Sequence, residues 1–325
     1  MSKKLSFVPL TVQAVVLSAI VWSVIALLFF LLFSVSSTGQ ERPEWYSVMT
    51  YVFEEVAFLA AGLLCFRNWR SSQIVSGGTV WLAIGLGMFS YFIGNLLLGY
   101  WEIALGKSPD ISPGDLFYIL TYIFLGWGML RALIARRLNL TPIQRVILAG
   151  ITIVGIALAV LFAPVSQEAQ PEATPPAIEQ TVPASPTPRI GATPSPAPSP
   201  LSSPTEAEPP SPAWATTIED QMAPLTGVVS WLYIIGDVIL VVMATALLLA
   251  FWGGRFSLSW RSIAAAALCF YIADTWFNYA VSYIPDYQTG SLPEVFWVFS
   301  GCLFAIGAIL EYDLSTRRQT RRRRS

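Results

Sequence analysis

The sequence predicts an all-α integral membrane protein with eight transmembrane helices. Of its 325 residues, 54% are hydrophobic and only 12% are charged, which is about half the charged share of a typical soluble domain. The apolar residues form continuous runs long enough to cross a hydrocarbon core of roughly 30 Å as helices. No run alternates with the period of two expected of a strand. The predicted spans are 8–33, 46–66, 79–103, 116–135, 144–163, 225–252, 262–284 and 295–312.

Basic residues cluster at alternate connections between these spans. Arg67 and Arg70 follow the second span, Arg255 and Arg261 follow the sixth, and six arginines lie in the tail. Because cytoplasmic connections carry the excess of Lys and Arg, both termini are expected to be cytoplasmic. A basic run just inside a last helix usually meets anionic lipid, so we expect the tail to bind lipid and not nucleic acid.

The stretch 164–224 differs from the rest of the chain. Fifteen of the 23 prolines lie between Pro164 and Pro212, mixed with Ser, Thr, Ala and Glu. Such a composition offers little apolar surface to bury and predicts a disordered, semi-extended linker on the non-cytoplasmic side. The predicted organisation is a first four-helix repeat, 1–140; a fifth helix, 141–163; the linker, 164–224; three further helices, 225–315; and an Arg-rich cytoplasmic tail, 316–325.

The two halves of the chain resemble each other. The matched segments are 91–95 with 270–274, 112–118 with 291–297, and 51–56 with 233–238. The first two pairs share an offset of 179 residues, and the third pair has an offset of 182. Four spans return the chain to its starting side, so we expect two parallel four-helix repeats related by an axis along the membrane normal.

The matched helices carry acids and amides at positions where such groups are expensive. A charged side chain near the middle of a bilayer costs between about 3 and 15 kcal/mol, and no Lys or Arg lies at a matching depth. We therefore expect the carboxyls to face the bundle interior and to bond to Tyr, Asn or Trp. Side chains one helical turn apart share a face. The candidate ligand-binding residues, grouped by helix, are Tyr51 and Glu55; Asn95; Tyr233 and Asp237; and Asp274 and Asn278.

Asp115 and Glu294 follow proline-bearing turns at the outer ends of two predicted helices. A carboxylate in the first turn of a helix satisfies free backbone N–H groups and the helix dipole. Both residues are therefore predicted to be helix caps, with a role at the rim of a ligand entrance as the alternative.

The composition excludes several kinds of catalytic site. Histidine is absent, which rules out His-ligated haem, most zinc sites and nucleophiles activated by histidine. Asp237 and Asp274 are a pair of the kind that intramembrane aspartyl proteases use, but Gly236-Asp237 lacks the flanking glycine pattern of that class. We therefore expect no catalytic residue, no cofactor and no metal site.

A characteristic pattern of aromatic and polar residues lies in the first half of the chain. It comprises residues 91–95, the aromatic stretch after them and the segment 112–118. It resembles the multi-helix membrane sensor regions that precede bacterial diguanylate-cyclase (GGDEF) and histidine-kinase domains. The resemblance covers mainly 79–137, with a fainter copy at 262–315. The positions that match best are Asp115, Phe117 and Tyr118. This resemblance implies a sensory module in the inner membrane of a prokaryotic cell, without an output domain of its own and with a separate signalling partner.

The sequence thus predicts a polytopic inner-membrane protein that binds a small molecule or lipid at a polar intramembrane centre. Two alternatives stay open. One is a proton-coupled secondary transporter, in which the carboxyls carry protons. The other is a structural or assembly subunit, in which the buried acids only lock the helices together.

Overall fold

The computed structural model describes residues 11–35, 42–107, 111–136, 141–161, 212–251, 257–284 and 287–324. Within these ranges the chain is helical and contains no strand. The α-helices there are α1 (Val12–Phe33), α2 (Glu44–Arg70), α3 (Gly78–Gly99), α4 (Pro113–Arg136), α5 (Pro142–Leu161), α6 (Ala213–Met222), α7 (Thr226–Ala250), α8 (Ser257–Tyr283) and α9 (Val295–Arg324). A π-helical turn, Tyr100–Ala104, extends α3.

Helix starts follow ordinary capping chemistry. Pro113 and Pro142 are the first residues of α4 and α5. Proline is suited to this position because a backbone N–H there would have no partner within the helix. Ser291 and Glu294 form a capping box in the 3₁₀ turn that leads into α9. The Asp115 carboxylate accepts the backbone N–H of Ser112 at 2.7 Å. The predicted capping roles of Asp115 and Glu294 are therefore confirmed.

Among the described residues, six segments are long and apolar enough to cross a membrane, and they indicate a multi-pass membrane protein. They are α1, α2, α3 with its π-helical turn, α4, the stretch Ala213–Ala250 that joins α6 to α7, and Leu292–Arg317. Two of the predicted spans are missing from this set. They are the spans at α5, which contains the apolar helix Pro142–Leu158, and at α8, whose hydropathy Asp274 and Asn278 lower.

The C-terminal end of the predicted linker is helical. Most of the linker lies outside the described residues, but α6 begins directly after Pro212, the last residue of the proline-rich stretch. The side chain of Glu219 in α6 forms a salt bridge with Lys107 and accepts the indole N–H of Trp101 at 2.9 Å. These contacts tie α6 to the end of α3, so the expected linker is too long at this end.

Six helices form a closed ring. Around the ring, α2 packs on α3, α3 on α4, α4 on α7, α7 on α8, α8 on α9, and α9 on α2. Outside it, α1 packs against α9 and α2, and α5 packs against α7. The ring is what brings the polar residues of the two halves of the chain to a common interior.

Small residues allow neighbouring ring helices to approach closely. A Cβ atom placed on Gly114 of α4 would lie 2.6 Å from the carbonyl oxygen of Gly94 in α3. A Cβ atom on Gly301 of α9 would lie 2.8 Å from the Cβ atom of Ala57 in α2. Such contacts are typical of helix packing in membranes, where shape complementarity replaces the hydrophobic effect between helices.

We expect Gly114→Ala to destabilise the protein by about 1 to 3 kcal/mol, because the added methyl group meets backbone that cannot rotate away. The measurement is the midpoint of unfolding by SDS in detergent micelles. Gly227→Ala in α7 is the matched control, since a Cβ atom there meets nothing within 4 Å. Equal midpoints for the two variants would contradict the close approach of α3 and α4.

Candidate functional site

A cavity of about 340 Å³ lies inside the ring, and all six ring helices contribute to its wall. It is at the end of the ring where α2, α4, α7 and α9 begin and where α3 and α8 end. Six tyrosines, two phenylalanines and Trp297 line it. The carboxyl residues that line it are Glu54, Glu102, Asp115, Asp274 and Glu294. Toward the opposite end, the interior of the ring is filled by buried apolar side chains, among them Phe58, Met88, Leu125 and Phe304.

Glu54 of α2 is the centre of one hydrogen-bond cluster. Its Oε2 atom accepts the hydroxyl of Tyr91 at 2.9 Å and the side-chain amide of Asn95 at 3.0 Å. The oxygen of that amide in turn accepts the hydroxyl of Tyr118 at 2.8 Å. The cluster therefore links α2, α3 and α4 through one carboxyl group.

Asp237 of α7 and Asp274 of α8 are the centre of a second cluster. The hydroxyl of Tyr122 contacts Asp237 at 2.7 Å and also contacts Asp274. The indole N–H of Trp297 donates to Asp274 at 2.6 Å, and the two carboxyl groups also lie within hydrogen-bonding reach of each other. A phenol has one hydrogen, so one carboxyl must supply the hydrogen for the second bond. The trio is therefore built to share a proton.

The two clusters have corresponding contacts. The donor and acceptor in the bond from Tyr118 to Asn95 are 23 residues apart, as they are in the bond from Trp297 to Asp274. Asn95 meets the carboxyl of Glu54, and Asp274 meets the carboxyl of Asp237.

The segment 287–291, which precedes α9, contributes Tyr287 and Thr289 to the cavity wall. The Thr289 hydroxyl donates to Glu102 at 3.0 Å, and Tyr51 donates to the same carboxyl at 2.8 Å. Gly290 adopts a positive φ of 103°, a conformation that glycine tolerates, and its carbonyl accepts the hydroxyl of Tyr46 at 2.6 Å. These bonds hold the segment against the ring.

Tyr287, the first residue of this segment, contacts the carboxylate of the capping residue Glu294. Burial, together with the nearby Glu294 charge, raises the pKa of the Tyr287 phenol. The phenol therefore keeps its hydrogen and donates it to Glu294. Glu294 also accepts the backbone N–H groups of Gly290 and Ser291 and the hydroxyl of Ser291. The capping residue thus has a second role at the rim of the cavity.

Most of the predicted site residues lie at the cavity. Those that line it are Tyr51, Asn95, Tyr233, Asp274 and Asn278. Asp237 is buried behind Tyr122 and reaches the cavity through the hydroxyl of that residue. The expected hydrogen bonds from tyrosine are present, but Tyr233 bonds to Asp115 and Tyr51 bonds to Glu102.

The structure does not bring Glu55 to this cavity, because Glu55 is absent from its lining and the neighbouring Glu54 is present. Adjacent residues on a helix point about 100° apart, so the two acids face different sides of α2. The prediction chose the residue one turn after Tyr51. The structure uses the residue three positions after Tyr51, which also lies on the same face.

Several further residues of these hydrogen-bond clusters were not predicted from the sequence. These are Glu54, Tyr91, Glu102, Tyr118, Tyr122 and Trp297. Tyr118 and Trp297 could have been predicted from the sequence, because they occupy matched positions in segments 112–118 and 291–297. Tyr122 has no matched partner of similar chemistry, since Gly301 stands at its counterpart.

The chain matches no family model, no curated protein and no solved structure. The site's own chemistry is therefore the basis for a function.

We expect Tyr122→Phe to lower the free energy of unfolding by about 1 to 3 kcal/mol, because it removes the hydroxyl that bonds to both aspartates while they stay buried. Tyr100→Phe is the control, since Tyr100 is 48% exposed and lies outside the cavity lining. Unfolding by SDS measures both variants. A loss of stability in Tyr100→Phe as large as that in Tyr122→Phe would contradict the role of the shared hydroxyl.

Proposed function

We propose that this protein is a non-enzymatic membrane module that binds a small molecule in the cavity and acts as a sensor. The observation that carries the proposal is a polar cavity whose wall is shared by all six ring helices. Ligand sites are typically concave, largely apolar and supplied with a few convergent polar groups. A subunit that used its acids only to lock helices together would gain from filling this space with side chains.

The proposed topology has eight spans in two parallel four-helix repeats, with both termini cytoplasmic. The six ring helices fall into α2–α4 and α7–α9, and α1 and α5 each pack outside the ring. The corresponding contacts of Asn95 and Asp274 support the duplication. They also favour Glu54 as the residue of the first repeat that corresponds to Asp237 in the second repeat. With this topology the cavity opens toward the non-cytoplasmic side, so the ligand comes from outside the cell.

The proposed role is sensory because of the resemblance to membrane sensor regions of bacterial signalling proteins. A separate signalling partner would then receive the output on the cytoplasmic side. The Arg-rich end of the chain would contact anionic lipid of the inner leaflet.

A second candidate function is proton-coupled transport. The observation that favours it is the bond network of Asp237, Tyr122 and Asp274, which is built to share a proton. Intramembrane acids that gain and lose a proton are typical of transporters. Flux across the membrane separates this function from a sensor.

We expect part of a broad panel of small molecules to raise the thermal unfolding temperature of the purified wild-type protein. The panel should contain cations, anions, neutral solutes and short-chain lipids. Leu98→Trp should abolish the effect, because Leu98 lines the cavity and the larger indole fills it. Leu96→Trp on the same helix is the matched control, since Leu96 is 52% exposed and points away from the cavity.

The outcome of this screen decides the proposal. Stabilisation that survives in Leu96→Trp and is lost in Leu98→Trp supports binding in the cavity. The absence of any stabilising compound, or equal stabilisation of both variants, would overturn it.

Transport makes a separate prediction for the same compounds. If the protein is a carrier, proteoliposomes with a pH gradient should accumulate the stabilising compound, and Asp274→Asn should reduce uptake to the level of empty liposomes because that carboxyl can no longer carry the proton. A sensor should show binding without uptake. Uptake by the wild-type protein that follows the pH gradient would support the transport function and overturn the sensory one.

A further inference from the structure

We propose that the ligand of this cavity is a small organic cation, a protonated amine. The inference rests on the proposed binding function and adds the chemical class of the ligand. It stands on three features of the cavity: the sign of its ionisable groups, one carboxyl oxygen that is left without a donor, and its aromatic walls.

The ionisable groups around the cavity have one sign. Five carboxyl residues line it, Asp237 lies directly behind, and no Lys or Arg is among the lining residues of the described chain. An anionic ligand would meet carboxyl groups with no counter-charge. A cation would supply the opposite charge that a carboxylate needs in apolar surroundings.

Most of the lining carboxyls are already occupied by the protein. Glu294 accepts four bonds from its own turn, and Glu102 accepts bonds from Tyr51 and Thr289. Both oxygens of Asp274 are engaged, one by the indole N–H of Trp297 and one by the hydroxyl of Tyr122. These groups define the shape of the cavity, but they have little capacity left for a ligand.

Glu54 is different. It is only 6% exposed, and its Oε2 atom accepts the bonds from Tyr91 and Asn95. Its Oε1 atom accepts no bond from any described residue, although the side chain lines the cavity. This oxygen therefore keeps an unused acceptor site at the cavity wall, and an ammonium N–H placed in the cavity would occupy it. A charge-assisted bond of this kind is among the stronger hydrogen bonds available to a ligand.

The walls beside Glu54 are suited to the rest of such a ligand. The ring of Tyr91 contacts the rings of Tyr118 and Phe270 next to it. Phe277 and Trp297, which also line the cavity, are in tilted ring contact with each other. Aromatic faces attract cations and also pack against hydrocarbon. A compact amine with an apolar body therefore fits both the charge and the surface of the cavity.

Triads of compounds that share one carbon skeleton test the chemical class of the ligand directly. Each triad places an ammonium, a hydroxyl or a carboxylate on one carbon skeleton, for example n-butyl, cyclohexylmethyl and 2-phenylethyl. Calorimetric titration of wild-type protein at pH 7 should show the amine of at least one triad binding about tenfold or more tightly than its alcohol, with no binding of the carboxylate. An alcohol or a carboxylate that binds as tightly as its amine would overturn the cation.

The paired variants Glu54→Gln and Glu55→Gln locate the contact. Both make the same chemical change on neighbouring residues of α2, but only Glu54 lines the cavity. Glu54→Gln should weaken amine binding about tenfold, while Glu55→Gln should leave it unchanged. Unchanged binding in Glu54→Gln, or equal losses in both variants, would overturn the assignment. If Glu54→Gln does not fold, the triads on the wild-type protein still decide the class of ligand.

These results also separate the two proposals. Neutral or anionic compounds that bind in Leu96→Trp but not in Leu98→Trp would keep the binding function and refute the cation. A panel in which nothing binds would refute the binding function itself.

Discussion

The structure depends on one constraint: a carboxyl group inside an apolar helix ring must be met by hydrogen-bond donors from neighbouring helices. Glu54 is met by Tyr91 and Asn95 of α3, and Asp274 is met by Trp297 of α9 and Tyr122 of α4. These bonds set how the helices face one another. They also keep large side chains away from the middle of this end of the ring, which leaves a cavity instead of a filled core.

Much of this was readable from the sequence. Continuous apolar runs predict helices because a bilayer leaves the backbone no other partner than itself. The caps at Asp115 and Glu294 were predicted because their chemistry is local, within three or four residues. A polar interior was predicted because acids without nearby basic residues cannot face lipid cheaply. These inferences needed only spacing and composition, and the contacts of Asn95, Asp237 and Asp274 agree with them.

The remaining details depend on distances between helices, which one sequence does not contain. Glu54 and Glu55 are chemically identical, and only the rotation of α2 within the ring decides which one enters the cavity. Tyr122 serves two aspartates that lie 115 and 152 residues away in the chain, so nothing local identifies it. The end of the linker was misplaced for a similar reason, since α6 is held by Lys107 from a distant part of the chain.

The last helix gives this arrangement a mechanical property. α9 is described as one unbroken helix of 30 residues, which corresponds to about 45 Å at the usual rise per residue. Its first turn carries Trp297, which touches Asp274 beside the cavity, and its far end carries the arginines. One helix thus connects the cavity to the arginine-bearing end of the chain. Under the proposed sensory role, a displacement of Trp297 by a bound ligand would be carried along α9 toward that end.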